Sequence, residues 1–495
     1  MGKQDDKYEI VVGLEVHAQL LTKSKLFCGD STDFGNEPNT NISPITLAHP
    51  GVLPKMNKRA IEYAIKMGLA CHSEIVKLNF FARKNYFYPD LPKGYQISQH
   101  TTPICNGGFV KIQTAGGEKK IRLNRIHLEE DAGKSLHDVY PDYSIVDLNR
   151  AGVPLIEIVS EPDISSGEEA STFINELRKL VRYLDICDGN MEEGSLRCDA
   201  NISIRKKGET QLGTKVEVKN LNSIRNVKRV VEHEAGRMIN LLEKGEKIIQ
   251  QTRSFDAAEG TSFAIRDKEE ADDYRYFPEP DLTPFSITDD FINSVRSTIP
   301  RLQEERVHKY RSRYRLSEYD AVTLTDEKDF SDYFEKVVHA LLTSPQSEEE
   351  KEVKCKAAAN WMLGPVKSWL NDNKKEIENF PVSPGKIASL IKLVDDGRLS
   401  FSVAATKILH LMINHPAKEP GEIAEEQNLV LDKNVNSIEP IVDEVITTHA
   451  DKVKEYRKGK KGLLGLFVGE VMKKTHGKAD PKIINELLLE KLKSI

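Results

Sequence analysis

Three short segments of the chain alternate apolar residues with polar or ionisable ones at every second position. They are Gly13–Gln19, Arg197–Ser203 and Lys215–Lys219. Residues two apart on a β-strand share a face, so each segment predicts a strand with one apolar face and one polar face. An ordinary half-buried strand exposes side chains such as Lys, Thr and Glu to solvent on its polar face. Strands that mix Glu, His, Asp and Asn predict a polar-faced sheet that holds a divalent metal together with phosphate.

Helically periodic segments first occur between predicted strands and then, in the second part of the chain, almost without strands. Residues 172–184 and 223–244 carry apolar side chains at three- and four-residue spacing, which predicts helices packed against the sheet. From about residue 291 the strand pattern almost disappears. The helically periodic segments there are 332–342, 355–370 and 387–412. We therefore predict an α+β fold with a β-rich N-terminal part and an all-α C-terminal part.

Local signals predict where elements and domains begin. Ser383-Pro384 and Asp480-Pro481 each combine an N-cap residue with a proline at the first helical position. Residues 415–421 hold two prolines and a glycine with few apolar groups, a composition typical of a linker. The sequence thus predicts a catalytic domain at 1–290, a helical domain at 291–414 and a small helical tail domain at 415–495.

Composition narrows the class of protein. The 495 residues are 39% hydrophobic, which suffices for several buried cores. No apolar run approaches the roughly 20 residues that cross a bilayer, and the N-terminus lacks the apolar stretch of a secretion signal. The six cysteines are far apart and form no C-x-x-C pair. These features predict a cytoplasmic protein with reduced thiols and no membrane partner.

Charge is unevenly spread along the chain. The net charge is −6, yet residues 451–495 hold twelve Lys or Arg against six Asp or Glu. A basic tail on an acidic body can provide an electrostatic footprint for nucleic acid. Solvated lysines on surface helices are the commoner explanation, and charge alone favours that one.

Candidate metal ligands come from the three alternating strands and from an acidic turn. The strand residues are Glu15, His17, Asp199, Asn201 and Glu217, and the turn contributes Glu129 and Glu130. Mg²⁺ prefers oxygen ligands and shares them with phosphate, whereas a zinc site needs more nitrogen or sulfur donors. Taken singly, these side chains are typical of surface or cap charges. Taken together, they predict a functional magnesium site.

A phosphate-binding loop is not available to complete that site. Gly133-Lys134-Ser135 looks like the end of a Walker A loop, but the first glycine of that motif is replaced by Leu128. Any ATP would therefore lie on the sheet, held by metal and by Lys84, Arg150, Lys215 and Lys219. Ion pairing to nearby carboxylates is the alternative role of these four cations.

Three loop-rich segments have a composition suited to binding. Residues 81–96 combine aromatic, basic and turn residues, which predicts a substrate loop or an RNA-stacking surface, although an ordinary tyrosine-rich loop is nearly as well supported. Residues 147–157 join a polar turn to a buried strand, and residues 269–282 form an acidic, aromatic loop. Proline fixes the shape of such loops and glycine permits close approach.

These segments resemble the B subunits of tRNA-dependent amidotransferases, and the similarity covers essentially the whole chain. The matching motifs are VGLEVH (12–17), FARKNYFYPDLPKGYQ (81–96), HLEEDAGK (127–134), DLNRAGVPLIE (147–157), RCDANIS (197–203), VEVKNLNS (216–223), DDYRYFPEPDL (272–282) and GLLGLFVGEVMK (462–473). Several exceed ten residues in fixed order, so their specificity is high.

The resemblance implies an activity, cofactors and partners. It implies that ATP and Mg²⁺ are used to phosphorylate the side-chain carboxylate of Glu-tRNA(Gln) or Asp-tRNA(Asn). Amidation would then use ammonia from a partner glutaminase, the amidase or A subunit, in a heterotrimer that a small C subunit completes. Alternatives are a metal-dependent RNA phosphodiesterase, for which carboxylates and a basic tail would also serve, and a non-catalytic tRNA-binding scaffold.

The resemblance also assigns roles to single residues. Glu15, His17, Glu130, Asp199 and Glu217 match residues around the family's metals, with Glu129 and Asn201 as neighbours. Lys84, Arg150, Lys215 and Lys219 are expected to orient phosphate or substrate carboxylate, Ser203 to help hold the nucleotide and Tyr86 to position the terminal adenosine. Some members have a cysteine-rich zinc site, but residues 41–51 contain no cysteine, so no structural zinc is expected. In the tail, Lys458, Lys460, Lys461, Lys473, Lys474 and Lys478 are expected to contact tRNA phosphates.

Overall fold

A computed structural model describes residues 7–136, 139–267, 274–343, 347–431, 435–475 and 479–494. The chain divides into two compact units, Met1–Leu302 and Gln303–Ile495. The first unit contains the strands, and the described part of the second is helical. The predicted α+β class is therefore confirmed.

The strands of the first unit form one large sheet and two small ones. The strands are β1 (Tyr8–Gln19), β2 (Glu74–Ile75), β3 (Leu78–Asn79), β4 (Ala82–Asn85), β5 (Tyr95–Ser98), β6 (Cys105–Asn106), β7 (Phe109–Thr114), β8 (Gly117–Glu130), β9 (Lys134–Leu136), β10 (Ile145–Asp147), β11 (Pro154–Ser160), β12 (Leu196–Lys206), β13 (Val216–Leu221), β14 (Gln251–Asp256), β15 (Thr261–Asp267), β16 (Phe277–Pro278) and β17 (Phe285–Ser286). The main sheet has thirteen strands, and its principal order is β15-β14-β13-β12-β1-β11-β8-β5-β4-β16. β9 pairs with β10 and β3 with β17.

Strand β1 lies at the centre of this sheet. Its even-numbered residues Val12, Leu14, Val16 and Ala18 are fully buried in the core of the first unit. The odd-numbered residues Glu15, His17 and Gln19 are only partly buried, which confirms the alternation predicted from sequence. The sheet thus has an apolar face, which we call the helix face, and a polar face.

Helices of the first unit cover the helix face. They are α1 (Lys58–Ala70), α2 (Gly167–Tyr183), α3 (Ile224–Glu243) and α4 (Asp289–Arg296). Ser166 and Ser223 cap α2 and α3 by accepting hydrogen bonds from backbone N–H groups three residues on. Both predicted helices are present, and the apolar stripe of each is buried against the strands.

The second unit contains thirteen α-helices within its described residues. They are α5 (Gln303–Arg313), α6 (Glu318–Leu324), α7 (Lys328–Leu341), α8 (Glu348–Trp361), α9 (Lys367–Asn373), α10 (Pro384–Asp395), α11 (Phe401–Val403), α12 (Leu409–Asn414), α13 (Pro420–Glu426), α14 (Val435–Thr448), α15 (Ala450–Arg457), α16 (Leu463–Lys474) and α17 (Pro481–Ser494). π-helical turns at Met362–Val366 and Ala404–Ile408 and a 3-10 turn at Ile377–Asn379 interrupt the series. Pro384 and Pro481 begin helices, as predicted.

Helices lie close to both predicted domain boundaries, which stay predictions. α4 buries Ile292 and Val295 in the core of the first unit, so that unit extends past residue 290 to Leu302. The predicted linker 415–421 is partly helical, because Glu419 and Glu422 form a reciprocal capping box at the start of α13. α13 buries Ile423 in the same core as α7 and α10, whereas α14 to α17 enclose a core of their own.

The structure also bears on membrane insertion. Across the described residues, no helix combines the length and the apolar character that spanning a bilayer requires.

Candidate metal centre on the polar face

The strand register brings together side chains that are far apart in sequence. Glu15 of β1 lies opposite Asp199 of β12, and His17 lies opposite Glu157 of β11. On the far side of β12, Asn201 lies opposite Glu217 of β13. Directly opposed residues share a face of the sheet, so all these side chains belong to the polar face.

The first of two groups on this face is the acidic cluster, which consists of Glu15, Asp199 and Glu217. One carboxylate oxygen from each of the three residues lies within 4.8 Å of those of the other two. The Lys219 ammonium is 3.2 Å from Asp199 Oδ2 and 3.2 Å from Glu217 Oε1. Thr252 Oγ1 donates a 3.0 Å hydrogen bond to Glu217 Oε2. Among the residues that the structure describes, these three buried or half-buried carboxylates therefore lie around the Lys219 ammonium group.

This charge imbalance affects the acid strengths in the acidic cluster. Burial raises the pKa of Glu15, and the neighbouring charges of Glu157, Asp199 and Glu217 raise it further against the opposing effect of Lys219. Burial alone would lower the pKa of Lys219, but Asp199 and Glu217 outweigh it and raise the value. Counted over the described residues, the acidic cluster consequently has a surplus of negative charge, which a bound cation would neutralise.

The second group is the histidine cluster, which consists of His17, Glu129 and Glu157. His17 Nε2 lies 3.3 Å from Glu157 Oε2 and 3.6 Å from Glu129 Oε1. A second imidazole, His127 of β8, places its Nε2 3.6 Å from the same Glu157 oxygen. Glu157 therefore lies between two histidines, as the register of β1, β11 and β8 requires.

Electrostatics in the histidine cluster run opposite to those in the acidic cluster. Burial would lower the pKa of His17, but the hydrogen bond and charge of Glu157, together with Glu129, raise it to about 9. Burial would raise the pKa of Glu157, but His127, His17 and Lys84 bring it well below its usual value. Here the side chains themselves balance the charge.

The donors of both clusters suit a hard divalent cation. Carboxylate oxygens dominate, and the buried Oδ1 of Asn201 and Nδ1 of His127 have no hydrogen-bond partner among the described residues. Such an oxygen-rich set with one or two imidazoles fits Mg²⁺ and leaves positions for water and phosphate oxygens. Neither cluster contains a cysteine. The absence of structural zinc stays a prediction.

Asn201 and Ser203 follow Asp199 at every second position along β12. Its Nδ2 donates a 2.9 Å hydrogen bond to Glu15 Oε1. Ser203, two residues on, is buried, and its hydroxyl donates a 3.5 Å hydrogen bond to the backbone oxygen of Val11. Asn201 is thus in contact with the cluster, while Ser203 is in contact with the backbone of β1.

Lys84 of β4 adds positive charge to the histidine cluster. Burial would lower the pKa of Lys84, but Glu129, Tyr276 and Glu157 raise it. Its ammonium lies 4.9 Å from the centroid of the Tyr274 ring and 6.0 Å from that of Tyr86. The two aromatic motifs identified from sequence therefore meet around Lys84, although residues 269–273 of the second motif lie outside the described residues.

Three of the predicted residues are placed elsewhere, and Glu130 is the clearest case. Neighbouring residues on a strand face opposite sides, so Glu130 does not join Glu129 in the histidine cluster. Its carboxylate is 2.5 Å from Lys93 Nζ and accepts a 2.8 Å hydrogen bond from the backbone N–H of Ile97. Glu130 therefore lies in this ion pair, apart from Glu129, and its role as a metal ligand stays a prediction.

Arg150 and Lys215 also lie outside both clusters. The Arg150 guanidinium donates hydrogen bonds of 2.9 and 2.6 Å to the backbone oxygens of Ala132 and Gly133. Lys215 precedes β13 and is exposed. Of the two lysines expected to hold phosphate near Glu217, Lys219 contacts the acidic cluster, and the role of Lys215 stays a prediction.

Sequence reasoning missed Glu157, His127 and the pair Arg197–Asp131. Glu157 stands alone in the buried run of β11, whereas His127 lies among several ionisable residues of β8. For Glu157, a lone ionisable residue in a central, apolar strand was the available signal. Arg197 donates two 3.0 Å hydrogen bonds to Asp131, which also accepts one of 2.8 Å from Gln19. This pair fixes the ends of β1 and β12.

The tail lysines lie on the surface of the second unit. Lys458, Lys460, Lys461, Lys473 and Lys474 are exposed. Lys460 pairs with Glu455 at 3.0 Å, and Lys474 pairs with Glu444 at 2.5 Å. Lys478 lies outside the described residues. Their contact with tRNA stays a prediction.

Known proteins resemble this chain over nearly its full length. A family model described as the GatB/GatE catalytic domain matches residues 10–293, and one described as the GatB domain matches residues 332–492. Relatives named as the B subunit of aspartyl/glutamyl-tRNA(Asn/Gln) amidotransferase occur in Thermodesulfovibrio yellowstonii, Geobacter sulfurreducens and Rickettsia conorii. Each is 47% identical; the alignments cover 98%, 98% and 99% of this chain and 100%, 99% and 98% of the relatives.

Proposed function

This chain belongs to the GatB family of amidotransferase B subunits, and we propose that it phosphorylates the side-chain carboxylate of an aminoacyl-tRNA and then supports its amidation. One observation supports this proposal above all others. Two ligand clusters, the acidic and the histidine cluster, lie on adjacent strands of one polar face. Phosphoryl transfer between two anions requires such a concentration of cation-binding groups.

The chemistry explains why activation is needed. A carboxylate cannot expel an oxide or hydroxide when ammonia attacks, because both are poor leaving groups. In the proposed first step, a carboxylate oxygen attacks the terminal phosphorus of ATP and ADP leaves. Ammonia then attacks the acyl carbon, phosphate leaves, and a proton is released to give the amide.

Individual side chains have separate tasks in this scheme. Glu15, Asp199 and Glu217 would hold one magnesium ion, and His17, Glu129 and Glu157 would hold another or orient the substrate. Bound magnesium supplies positive charge that neutralises the phosphate oxygens. Lys219 and Lys84 present ammonium groups to the two clusters and would contact phosphate and substrate carboxylate, respectively.

The family also suggests how the rest of the reaction is organised. We propose that ammonia derives from glutamine through a separate glutaminase, the A subunit, and that a small C subunit completes the heterotrimer. The exposed tail lysines would contact tRNA phosphates. The substrates would be Glu-tRNA(Gln), Asp-tRNA(Asn) or both.

A reconstituted assay tests the proposal against its alternatives. The full chain is purified with the glutaminase and the small third component and supplied with ATP, Mg²⁺, glutamine and each mischarged tRNA. We expect ATP hydrolysis that depends on mischarged tRNA, formation of the amidated aminoacyl-tRNA and intact RNA. Cleavage of the RNA without ATP would instead identify a phosphodiesterase.

A variant separates catalysis from a scaffold role. His17→Asn removes the imidazole from the histidine cluster and is expected to abolish amidation while tRNA binding is retained. His308→Asn, at an exposed position of α5, is the matched control and should turn over like the wild type. Full turnover by His17→Asn would mean that the chain acts as a scaffold or that the site is misassigned.

A further inference from the structure

The polar face continues beyond the acidic cluster to the edge of the main sheet. After β13, which contributes Glu217, the order runs through β14 to β15, the terminal strand. Phe263 of β15 is 55% exposed, although an aromatic ring of this size is usually buried in a strand. Its neighbour Ile265 is 54% exposed. An exposed aromatic residue thus lies at the end of the sheet that carries the proposed phosphate groups.

Two sets of contacts establish which face Phe263 belongs to. Thr252 donates to Glu217 and is on the polar face, so Ser254, two residues on, shares that face. Ser254 lies opposite Phe263 in the register of β14 and β15. Independently, the adjacent Ser262 donates a hydrogen bond to Glu234 of α3, which places Ser262 on the helix face and Phe263 on the other.

The register also places Phe263 in line with Lys219. β13 and β14 are parallel, with Glu217 beside Thr252 and Val218 beside Arg253. Continuing this register by one residue brings Lys219 beside Ser254, and Ser254 is opposite Phe263. Two strand spacings, about 10 Å, therefore separate the backbones of Lys219 and Phe263. That span is comparable to the distance between the base and the phosphates of an extended nucleotide.

We propose that Phe263 is the stacking platform for the purine base of the bound nucleotide, while Lys219 and the acidic cluster face its phosphates. This inference rests on the proposed use of ATP. An aromatic ring binds any base through its π-face, so the contact would contribute affinity without selecting among bases. A base from the tRNA terminus offers the same chemistry, and the test distinguishes the two sources.

Direct binding measurements on the assembled full-length complex test the assignment. The probes are a non-hydrolysable ATP analogue, the corresponding GTP analogue and inorganic tripolyphosphate, each with Mg²⁺ and without tRNA, and mischarged tRNA in a separate titration. We expect Phe263→Ala to weaken both nucleotides about tenfold. Tripolyphosphate, which has no base, should bind as to the wild type. Phe263→Leu should behave like Phe263→Ala, and Phe263→Trp should restore binding.

Matched variants and alternative outcomes make the test decisive. Phe34→Ala removes a phenylalanine that is 74% exposed elsewhere in the first unit and should leave all three affinities unchanged. Unchanged nucleotide binding by Phe263→Ala would overturn the proposal, as would equal weakening of tripolyphosphate. If Phe263→Ala weakened the binding of mischarged tRNA but not of nucleotides, Phe263 would stack on a base of the tRNA terminus and the proposal would be overturned. If the Phe263→Ala chain no longer assembled into the heterotrimer, Phe263 would be a contact to a partner subunit and the stacking proposal would be overturned.

Failure of this inference is distinguishable from failure of the proposed function. A wild-type complex that binds neither nucleotide nor tripolyphosphate would contradict the use of ATP and remove both. If the wild-type complex and the Phe263→Ala complex bind ATP equally well, the stacking platform is contradicted and the use of ATP is not. If Phe263→Ala does not fold, Phe263→Leu provides the same comparison with less loss of apolar surface.

Discussion

The acidic and histidine clusters are neighbours on β1, yet they handle buried charge in opposite ways. In the acidic cluster, three carboxylates face the Lys219 ammonium within the described residues, and the pKa of Glu15 is raised. In the histidine cluster, two carboxylates face His17, His127 and Lys84, and the pKa of Glu157 falls. Among the described residues, the first therefore keeps a surplus of negative charge that a cation would neutralise, whereas the second is nearly balanced by its own side chains.

The difference suggests a division of labour between the clusters. A site with surplus negative charge binds divalent cations strongly, since each bound ion relieves repulsion among the ligands. A balanced site binds cations more weakly but fixes the geometry of its side chains. We therefore expect the acidic cluster to retain the main magnesium ion and the histidine cluster to depend more on its ion pairs.

The largest effect is expected when the acidic cluster loses a carboxylate. Glu217→Gln keeps the shape of the side chain and a hydrogen-bond acceptor for Thr252 but removes the charge. Because that charge would hold magnesium during phosphoryl transfer, kcat for tRNA-dependent ATP hydrolysis should fall by about a hundredfold or more. Steady-state kinetics on the reconstituted complex measure it.

A surface glutamate provides the control for Glu217→Gln. Glu209→Gln changes an exposed residue after β12 and should leave kcat unaltered. Binding of tRNA by Glu217→Gln should equal that of the wild type. A Glu217→Gln complex with normal kcat would show that the acidic cluster takes no part in the reaction.

The individual members of the acidic cluster could be predicted from sequence, because strand alternation alone places Glu15, Asp199 and Glu217 on polar faces. Their adjacency could not be predicted in this way. It depends on β12 lying between β1 and β13, a pairing of segments about 185 residues apart. Local pattern contains no information about which distant strand pairs with which. Alternation therefore identified the candidate ligands, and the resemblance to a family grouped them.

The second-largest effect is expected from Glu157→Gln in the histidine cluster. Removing this charge leaves Glu129 as the remaining carboxylate of the cluster beside His17 and Lys84. We expect kcat to fall between about ten- and a hundredfold, as for residues that orient metal ligands. Losing one of the two carboxylates that face His17 and Lys84 should also cost on the order of 3 kcal/mol of unfolding free energy in the first unit. Glu217→Gln should destabilise less, because it reduces repulsion.

Urea unfolding monitored by circular dichroism provides the measurement for Glu157→Gln. Glu161→Gln, just beyond the end of β11, is the control, since Glu161 is only partly buried. Equal destabilisation by Glu157→Gln and Glu217→Gln would contradict the difference in charge balance between the clusters.

The histidine cluster was only half predictable. His17 and Glu129 follow from alternation and from an acidic turn, but Glu157 was hidden in an apolar run, and Glu130 was grouped with Glu129 although the two face opposite sides. The helix at α13 was missed for a similar reason. Two prolines suggested a linker, while Pro420 is in fact at the first turn, where proline is compatible with a helix.

Magnesium titration of the chelator-treated protein should produce a smaller effect that separates the clusters. A site that is filled at one hundred times its Kd stabilises the fold by about 2.7 kcal/mol. We expect most of the magnesium-dependent rise in Tm to disappear in Glu217→Gln and most of it to remain in Glu157→Gln. Differential scanning fluorimetry against MgCl₂ concentration measures both, with Glu209→Gln as the control. If the magnesium-dependent rise in Tm were lost in Glu157→Gln and kept in Glu217→Gln, the main magnesium ion would belong to the histidine cluster.

The smallest effect extends the same principle to the surface tail. Lys474 has a carboxylate partner in Glu444, whereas Lys473, next to it, forms no ion pair among the residues that the structure describes. An already neutralised cation releases fewer counterions from RNA. Lys473→Ala should therefore reduce the slope of log K for tRNA binding against log salt by about 0.7 to 0.9, and Lys474→Ala by less. Lys336→Ala, exposed on α7, should leave the slope unchanged. If Lys474→Ala had the larger effect, the Glu444 pair would have to open on tRNA binding.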